Sequence, residues 1–556
     1  MPPITRPHSL FRETTVRAPR SGQAGPSQSG YCFLFPQLAE REDVGCFSGR
    51  SAIDSFNRLL EFEKASRGAL SAPQVLPMQL PAVYTYFGQF VNHDISAPVG
   101  DVVTLPEPAE AVGVIGTDLP PGVDRSRREA PGVILDFFVN EQAEPLALDS
   151  LYGDGPGSVD AGIRALYAAD GKRFKLGKTR REDRQFFENL MIDPDAVHYD
   201  ADAPDILRRD GRPLIADERN DENLIISQLH LALLLFHNKM VAALEPQIPD
   251  PVACFAEARR LVTLHYHWLI LNDFLPNLLS PLALQMPLAQ RPQALPAART
   301  VPLEFTTAAF RFGHSMIGSH YDFNANFGRG GRITRKGASL TDLFVFTTHR
   351  NMGKRNAPVT LQLPDHWVID WNRMTRPPRQ TPGPGGAERI DLTFATDMLN
   401  LMGSSDDAAH GSILFRNLMR GFQRRIAFGQ LLAKECRVPA LKEQELRAAL
   451  PDDGSAGPGV ESLREIAERL GMLKEMPAWL YFLCEARHFE QGERLGPTAS
   501  HIIADTIVGL MRYMPQSILN QDGGSWHPRQ SPLRSSGGRA LTSLRALLKC
   551  AVANGP

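Results

Sequence analysis

The amino-acid sequence predicts a mainly α-helical protein, built as one large domain with long loops and little β-structure. Two observations lead to this fold class. Apolar residues recur with helical spacing in stretches spread along the chain. The 45 glycines and 44 prolines are abundant, and they separate these stretches with long connections. The 556 residues are ample for a large core, and no internal repeat divides them.

The predicted helices are the stretches in which apolar residues return every three or four positions. They cover residues 51–66, 85–96, 222–244, 251–275, 308–317, 412–433, 459–473, 497–513 and 541–552. Residues 97–145 form a proline-rich connection, and residues 320–390 are rich in loops. Residues 158–215 alternate short β-like pieces with charged loops.

The composition of the two ends divides the chain into three parts. Residues 1–30 are rich in Pro, Ser, Gly and Arg, which predicts a disordered tail. The main domain is expected over residues 31–520, followed by a linker and a short C-terminal helix over residues 521–556.

Charge and hydrophobicity exclude several kinds of partner. The 60 basic and 62 acidic side chains nearly cancel, so nothing favours nucleic-acid binding. No apolar run approaches the roughly 20 residues of a membrane span, and the charged N-terminus has no signal-peptide pattern. We therefore expect a soluble protein that is cytoplasmic or exported without a cleaved signal. Its oligomeric state stays open. The six cysteines are scattered without a CxxC pair, which favours buried thiols.

The first chemical motif is TYFGQFVNHDIS, residues 85–96. On a helix, Gln89 and His93 lie four residues apart on one face, and Asp94 follows the histidine at once. Gly88 removes bulk beside them, so a flat group could approach closely. A lone histidine in an apolar helix is usually a core residue. Here three distant stretches add matching chemistry.

Those three stretches are short and polar within apolar surroundings. They read DERNDENLIISQLH over residues 217–230, AAFRFGHSMIG over residues 308–318 and RNLMRG over residues 416–421. Taken alone, the first would more simply be an acidic cap before a helix. Together, and in this order, the four motifs resemble those of the animal-type haem peroxidases, the peroxidase–cyclooxygenase superfamily, and its bacterial members most of all. The resemblance spans about residues 31–520.

This resemblance implies a haem-dependent oxidoreductase. Such an enzyme reduces hydrogen peroxide and oxidises small donors, namely phenols, halides or thiocyanate, through an oxyferryl intermediate, and it serves the response to oxidative stress. The implied cofactor is haem b with its iron. The implied partners are peroxide and a small-molecule reductant.

The resemblance also assigns roles on the distal side of the haem. His93 becomes the catalytic base, Gln89 the distal glutamine and Arg219 the distal arginine. Histidine suits the task of taking a proton from one peroxide oxygen and returning it to the leaving one. A fixed cation suits the negative charge that develops on that oxygen. Glu222 would lie at the haem rim.

On the proximal side the resemblance makes His314 the iron ligand. Asn417 would accept the Nδ1–H of His314, which tunes the iron through a neutral amide. Arg311, one turn before His314, would pair with a haem propionate, and Arg420 would lie near a propionate.

The sequence departs from the resemblance in two places. Asn92 stands where an aspartate can esterify the haem, so the resemblance allows one ester at most, through Glu222. The resemblance also implies a calcium site to which Asp94 and Asp149 would give carboxylates, but Ala143 and Ala147 stand at positions where it expects ligand side chains. Calcium takes six to eight oxygens, so calcium binding is doubtful.

Two other functions remain open beside the peroxidase. A fatty-acid dioxygenase of the cyclooxygenase type would use a tyrosine three residues before the proximal histidine, and that position is Arg311. A non-catalytic haem-binding or adhesion module would have a decayed site. Decay is argued against by the joint presence of five site residues, Gln89, His93, Arg219, His314 and Asn417.

Overall fold

Helices joined by long loops make up the computed structural model of this protein. It describes residues 30–66, 78–99, 126, 128–137, 139–140, 142–209, 212–349, 362–378, 384–395, 397–398, 413–451 and 461–553. The tail predicted over residues 1–30 lies almost wholly outside the described residues. So does most of the proline-rich connection around residues 100–125.

The α-helices of the first half of the described chain are α1 Pro36–Ala39, α2 Ala52–Ser66, α3 Val83–Ile95, α4 Pro131–Phe137, α5 Asp149–Tyr152, α6 Ala161–Ala165, α7 Arg184–Asn189, α8 Leu224–Leu244, α9 Pro251–Leu269 and α10 Leu275–Leu278. Those of the second half are α11 Leu303–Thr307, α12 Trp371–Met374, α13 Ile413–Gln423, α14 Gly429–Glu435, α15 Glu443–Ala449, α16 Leu463–Arg469, α17 Ala478–Glu490, α18 Pro497–Tyr513 and α19 Leu544–Val552. A π-turn, Ile270–Phe274, joins α9 to α10.

Strands in the described residues are two residues long and form five separate pairs. β1 Tyr31–Cys32 pairs in parallel with β8 Val301–Pro302. The antiparallel pairs are β2 Pro98–Val99 with β3 Val139–Asn140, β4 Gly177–Lys178 with β5 Pro204–Asp205, β6 Arg208–Arg209 with β7 Arg212–Pro213, and β9 His320–Tyr321 with β10 Ala338–Ser339. The mainly α fold class is confirmed.

Helix α8 lies at the centre of the core. It packs against α3, α9 and α19, and its residues are buried on nearly every side. The Asn223 side chain starts it by accepting the backbone N–H groups of Ile225 and Ile226, as an N-cap does. By length and composition α8 could cross a membrane, but most of it is buried inside the protein, as expected of a core helix.

Most predicted helices are present, with three corrections. The helix predicted over residues 308–317 is a six-residue 3₁₀ segment, Ala309–His314, which follows the short helix α11. The helix predicted over residues 412–433 is two helices, α13 and α14, because the chain turns at Arg425 with a φ of +56°. Its guanidinium donates to the Ala39 and Arg41 carbonyls. Helix α17 is the longest of several described helices, α4, α7 and α15 among them, that have no counterpart among the predicted helices.

The six cysteines are free thiols, four of them buried. Gly88 has a close neighbour, as predicted, but that neighbour is the ring of Phe274. A Cβ at position 88 would lie 3.1 Å from Phe274 Cζ. Gly88 therefore lets the π-turn approach α3.

Candidate active site

A cavity lies between α3 and the 3₁₀ segment Ala309–His314. It encloses about 910 Å³ of space between atoms, a figure that includes open solvent at its mouth. Gln89, Asn92 and His93 come from α3, and Arg311 and His314 from the opposite wall. The apolar part of the lining is largely aromatic and includes Phe310, Phe312 and Phe344.

His93 presents a neutral imidazole to this cavity. Burial, with the nearby charge of Arg219, lowers its pKa to about 3. The Nδ1 atom lies 3.0 Å from Oδ1 of Asn220. The Nδ2 atom of Asn220 in turn lies 3.2 Å from Nδ1 of His230. In this arrangement Asn220 accepts the Nδ1–H of His93, which leaves Nε2 as the proton acceptor.

Gln89 and Glu222 form a hydrogen-bonded pair beside the histidine. Gln89 Nε2 donates to Glu222 Oε2 at 3.0 Å, and Asn223 Nδ2 donates to Gln89 Oε1 at 3.2 Å. Burial raises the pKa of Glu222 well above its usual range. This carboxyl lies 3.9 Å from His93 Nε2 but does not itself line the cavity.

Arg219 lines the cavity and also fixes the end of α3. Its guanidinium donates to the carbonyls of His93 and Ser96, both at 2.8 Å. It forms an ion pair of 2.6 Å with Asp217, whose side chain also accepts its Nε–H. Arg219 therefore holds the backbone that bears His93, and its role as the distal cation stays a prediction.

His314 ends the 3₁₀ segment on the opposite wall. Its Nδ1 lies 3.1 Å from the side-chain amide of Asn417 on α13. The amide nitrogen faces the ring, while Asn417 Oδ1 is buried without a hydrogen-bond partner. Turning the amide by half a rotation lets Oδ1 accept the Nδ1–H and satisfies both groups. That leaves Nε2 as the nitrogen that would ligate a metal.

Several buried arginines surround this wall. Arg311 lines the cavity and donates to the Thr306 carbonyl at 2.8 Å. Arg420 lies on α13 and does not line the cavity. Burial, with the like charges of Arg420 and Arg424, lowers the pKa of Arg311. Such a cluster favours a negatively charged group of a ligand, as the carboxylates of a haem would be. Burial, with the charges of Arg311, Arg420 and Arg416, also keeps the pKa of His314 well below its usual range.

The two predicted calcium ligands lie outside the cavity. Asp94 is fully buried and accepts hydrogen bonds from Leu148 and Ser150. Asp149 lies 3.2 Å from the guanidinium of Arg259. The described residues contain no group of three or more His, Cys, Asp or Glu that could hold a metal ion.

The structure thus brings side chains of the first three motifs to one cavity, and Asn417 of the fourth motif joins them through its contact with His314. Sequence reasoning missed two contributors. Asn220 lies inside the second motif, directly after Arg219. Its side-chain amide, which can both donate and accept hydrogen bonds, was the feature of the sequence that could have indicated a contact with the histidine. Trp479, on the missed helix α17, donates its indole N–H to the Arg311 carbonyl at 3.2 Å. Nothing local in the sequence pointed to that contact.

Comparisons with known proteins find sequence similarity to peroxidases. The family model described as animal haem peroxidase matches residues 168–356, a segment that contains Arg219 and His314. Human thyroid peroxidase is 29% identical over 177 residues, which are 31% of this chain and 19% of that protein. A peroxidase-like protein of Margaritifera margaritifera is 30% identical over 115 residues, 19% of this chain and 14% of that protein. The match thus spans less than a fifth of either relative.

Solved structures show the same fold over most of the chain. Peroxidase A of Dictyostelium discoideum superposes with a TM-score of 0.52 at 16% identity, covering 89% of each chain. A fatty acid alpha-dioxygenase of Oryza sativa superposes with a TM-score of 0.50 at 13% identity, covering 90% of this chain and 84% of that one. At such low identity the likeness concerns the fold.

Proposed function

We propose that this chain belongs to the animal haem peroxidase superfamily, as its similarity to peroxidases supports, and that it is a haem peroxidase that reduces hydrogen peroxide and oxidises small donors. One observation carries the proposal. Two neutral imidazoles, His93 and His314, lie on opposite walls of one cavity, and each has its Nδ1 against an asparagine amide. Such a pair provides one ring nitrogen, on His314, that can ligate an iron and another, on His93, that can accept a proton.

The residues present fit a haem. His314 would ligate the iron through Nε2, the aromatic lining would contact the porphyrin, and Arg311 and Arg420 would balance its propionates. The bound haem supplies the redox-active iron that splits the O–O bond.

The protein's own part is to move a proton. Nε2 of neutral His93 takes it from one oxygen of hydrogen peroxide and returns it to the departing oxygen, which leaves as water. The hydrogen bond to Asn220 keeps the other proton of the ring on Nδ1 throughout. The positive charge of Arg219 opposes protonation of the ring, which keeps it available as an acceptor.

Glu222 lies beside this proton acceptor, and burial shifts its pKa upward, in the direction that favours the uncharged carboxyl. Gln89, held by Glu222 and Asn223, presents its amide at the cavity wall. We further propose that the haem carries at most one ester, through Glu222, because Asn92 at the cavity wall has no carboxylate.

The donors we propose are phenols, halides or thiocyanate. The lining residues Phe310, Phe312 and Phe344 suit the ring of a phenol. The charge of Arg219 at the distal wall suits a small anion.

A second candidate is oxygenation of a fatty acid. It draws support from the shared fold with a plant fatty acid alpha-dioxygenase and from Tyr86, a buried tyrosine that lines the cavity. Against it stands Arg311, in the position where a tyrosine is expected from the resemblance. The peroxidase is the better supported of the two.

The test is the absorption spectrum of the purified, haem-loaded protein before and after hydrogen peroxide. We expect a Soret band that shifts on peroxide and returns when a phenol, a halide or thiocyanate is added. His314→Ala should lose the haem, whereas His320→Ala, at an exposed position of β9, should behave as the parent. A Soret band that does not change when hydrogen peroxide is added would indicate a non-catalytic haem-binding module. Oxygen uptake with a long-chain fatty acid would favour the dioxygenase.

A further inference from the structure

A strained loop closes over the end of α3, directly beside His93. Residues 144–150 form this loop, and two of its leucines adopt left-handed backbone conformations, with a φ of +73° at Leu146 and +60° at Leu148. Branched side chains rarely occupy that region, and they stay there only where the surrounding structure fixes them. The loop therefore needs strong contacts to its neighbours.

One set of contacts ties the loop to α3. The carboxylate of Asp94 accepts the backbone N–H groups of Leu148 at 3.1 Å and Ser150 at 3.3 Å, and the Ser150 hydroxyl at 3.0 Å. The Leu146 N–H donates to the Asp94 carbonyl at 3.3 Å. Since Asp94 follows His93 in the helix, the position of the loop sets the position of the histidine.

A second set ties the loop to one face of α9. His267 accepts the Ile518 N–H at Nδ1, so its proton is on Nε2, which donates to the Leu146 carbonyl at 2.9 Å. Two turns earlier, Arg259 donates to Asp149 Oδ1 at 3.2 Å and to the Ala147 carbonyl at 3.4 Å. Its guanidinium carbon also lies 5.0 Å from the ring centre of Tyr152.

The donor set at this loop does not fit calcium. A calcium ion takes six to eight oxygens that point lone pairs at it. Here the Asp94 carboxylate already receives three hydrogen-bond donors. Ala143 and Ala147 bring no side-chain oxygen. The positive charge beside Asp149 belongs to Arg259.

We propose that Arg259 is the built-in cation of this loop and a positioning residue for His93, in place of a bound metal ion. The guanidinium neutralises Asp149, joins it to the Ala147 carbonyl, and so holds the strained loop against Asp94. The claim that Arg259 positions His93 for catalysis rests on the proposed peroxidase function. The claim that Arg259 takes the place of a metal ion does not depend on that function.

The first experiment measures calcium and thermal stability. The parent protein, dialysed without chelator, should contain no stoichiometric calcium by elemental analysis, and neither EDTA nor added calcium should move its Tm. Arg259→Met removes the charge and keeps the stem, so its Tm should fall. Arg260→Met is the matched control, because that guanidinium pairs with Glu257 of the same helix. It should stay near the parent.

The second experiment follows the Soret change by rapid mixing with hydrogen peroxide. Arg259→Met should keep its haem but react more slowly, on the order of 10-fold, as losses of supporting contacts around a site commonly do. Arg259→Lys retains the charge and should restore most of the rate. A purely structural salt bridge would lower the Tm without this rescue of the rate.

Three results would overturn the proposal. The first is one tightly held calcium per parent chain whose removal lowers the Tm. The second is an Arg259→Met protein that reacts with peroxide as fast as the parent. The third is an Arg260→Met protein that loses as much Tm and rate as Arg259→Met. If Arg259→Met does not fold, Arg259→Lys decides, because a stabilising response to calcium in that protein would show that a positive side chain at position 259 does not take the place of a metal ion. If the parent neither binds haem nor reacts with peroxide, the proposed peroxidase function is wrong. The calcium content and the Tm values still test whether Arg259 takes the place of a metal ion.

Discussion

Nδ1 of His93 lies 3.0 Å from Oδ1 of Asn220, and Nδ2 of the same amide lies 3.2 Å from Nδ1 of His230. An asparagine that donates at one end and accepts at the other fixes the tautomers of both rings. His93 thereby keeps its Nδ1 proton and offers Nε2 to the cavity. Asn220 touches no cavity space itself, so it acts through the histidine.

Replacing Asn220 tests this relationship. Asn220→Leu has similar volume and removes the acceptor, so the ring of His93 loses its tautomer and orientation. We expect peroxide-dependent formation of the first oxidised species to slow by about 10-fold or more, with haem content unchanged. Asn220→Asp retains the acceptor and should recover much of the rate. Asn272→Leu, at an exposed position on the π-turn, is the control. Equal rates in Asn220→Leu and the parent would contradict the assignment.

The pH profile of peroxide reduction tests the state of His93. The neutral ring is the form that accepts a proton, and burial together with Arg219 lowers its pKa from 6.5 to about 3. The rate should therefore stay level from neutral pH down to about pH 4 and fall only below that, as the ring protonates. An inflection near pH 6.5 would mean that His93 is exposed to water or is not the base. His93→Ala should lose the pH step and about 10² to 10⁴ in rate.

Local sequence patterns predicted the helices that one amphipathic stripe defines. Helix α18 has the predicted bounds, 497–513, with proline at its first position. Helix α17 was not predicted because its first turns, AWLYFLC, are apolar on all sides and show no amphipathic stripe. The break between α13 and α14 was not predicted because its cause is distant in sequence. Arg425 turns the chain and donates to backbone carbonyls near residue 40.

The candidate site divides in the same way. The residues at motif positions, such as His93 and His314, could be proposed from sequence because the resemblance fixes each one by its neighbours. The contacts that tune them come from elsewhere in the chain. Asn220 reaches His93 across 127 residues, and Arg259 reaches the loop beside it across 110. Such pairings depend on tertiary packing, which no local pattern reports.

Glu485 on α17 gives a test of the scaffold. It is fully buried, accepts the Thr498 N–H at 2.9 Å, and lies so close to Gly496 that a Cβ there would be 2.3 Å from its Cγ. Burial raises its pKa from 4.5 to about 8. Between these values the unfolded chain ionises while the folded protein keeps the proton, so rising pH favours unfolding by about 1.4 kcal/mol per pH unit.

Glu485→Gln removes this titration while keeping the shape of the side chain. The free energy of unfolding of the parent, relative to this variant, should fall as pH rises from about 4.5 to 8 and then level off. Denaturant unfolding at a series of pH values measures it. Glu443→Gln, at an exposed position of α15, should show no such trend. A difference between Glu485→Gln and parent that is independent of pH would mean that Glu485 ionises normally.

The last prediction concerns Asn417 and the iron that His314 would hold. An aspartate at this position accepts the Nδ1–H of His314 more strongly than an amide does, which makes the imidazole a better electron donor and stabilises the oxidised iron. The positive potential of Arg416 and Arg420, which bears on His314, would keep such a carboxylate ionised despite its burial. Asn417→Asp should therefore lower the reduction potential of the bound haem in a redox titration. Asn238→Asp, on α8 beside Phe174 and away from the cavity lining, is the control and should leave the potential unchanged. A potential equal to or above the parent's in Asn417→Asp would mean that Asn417 is not the partner of His314.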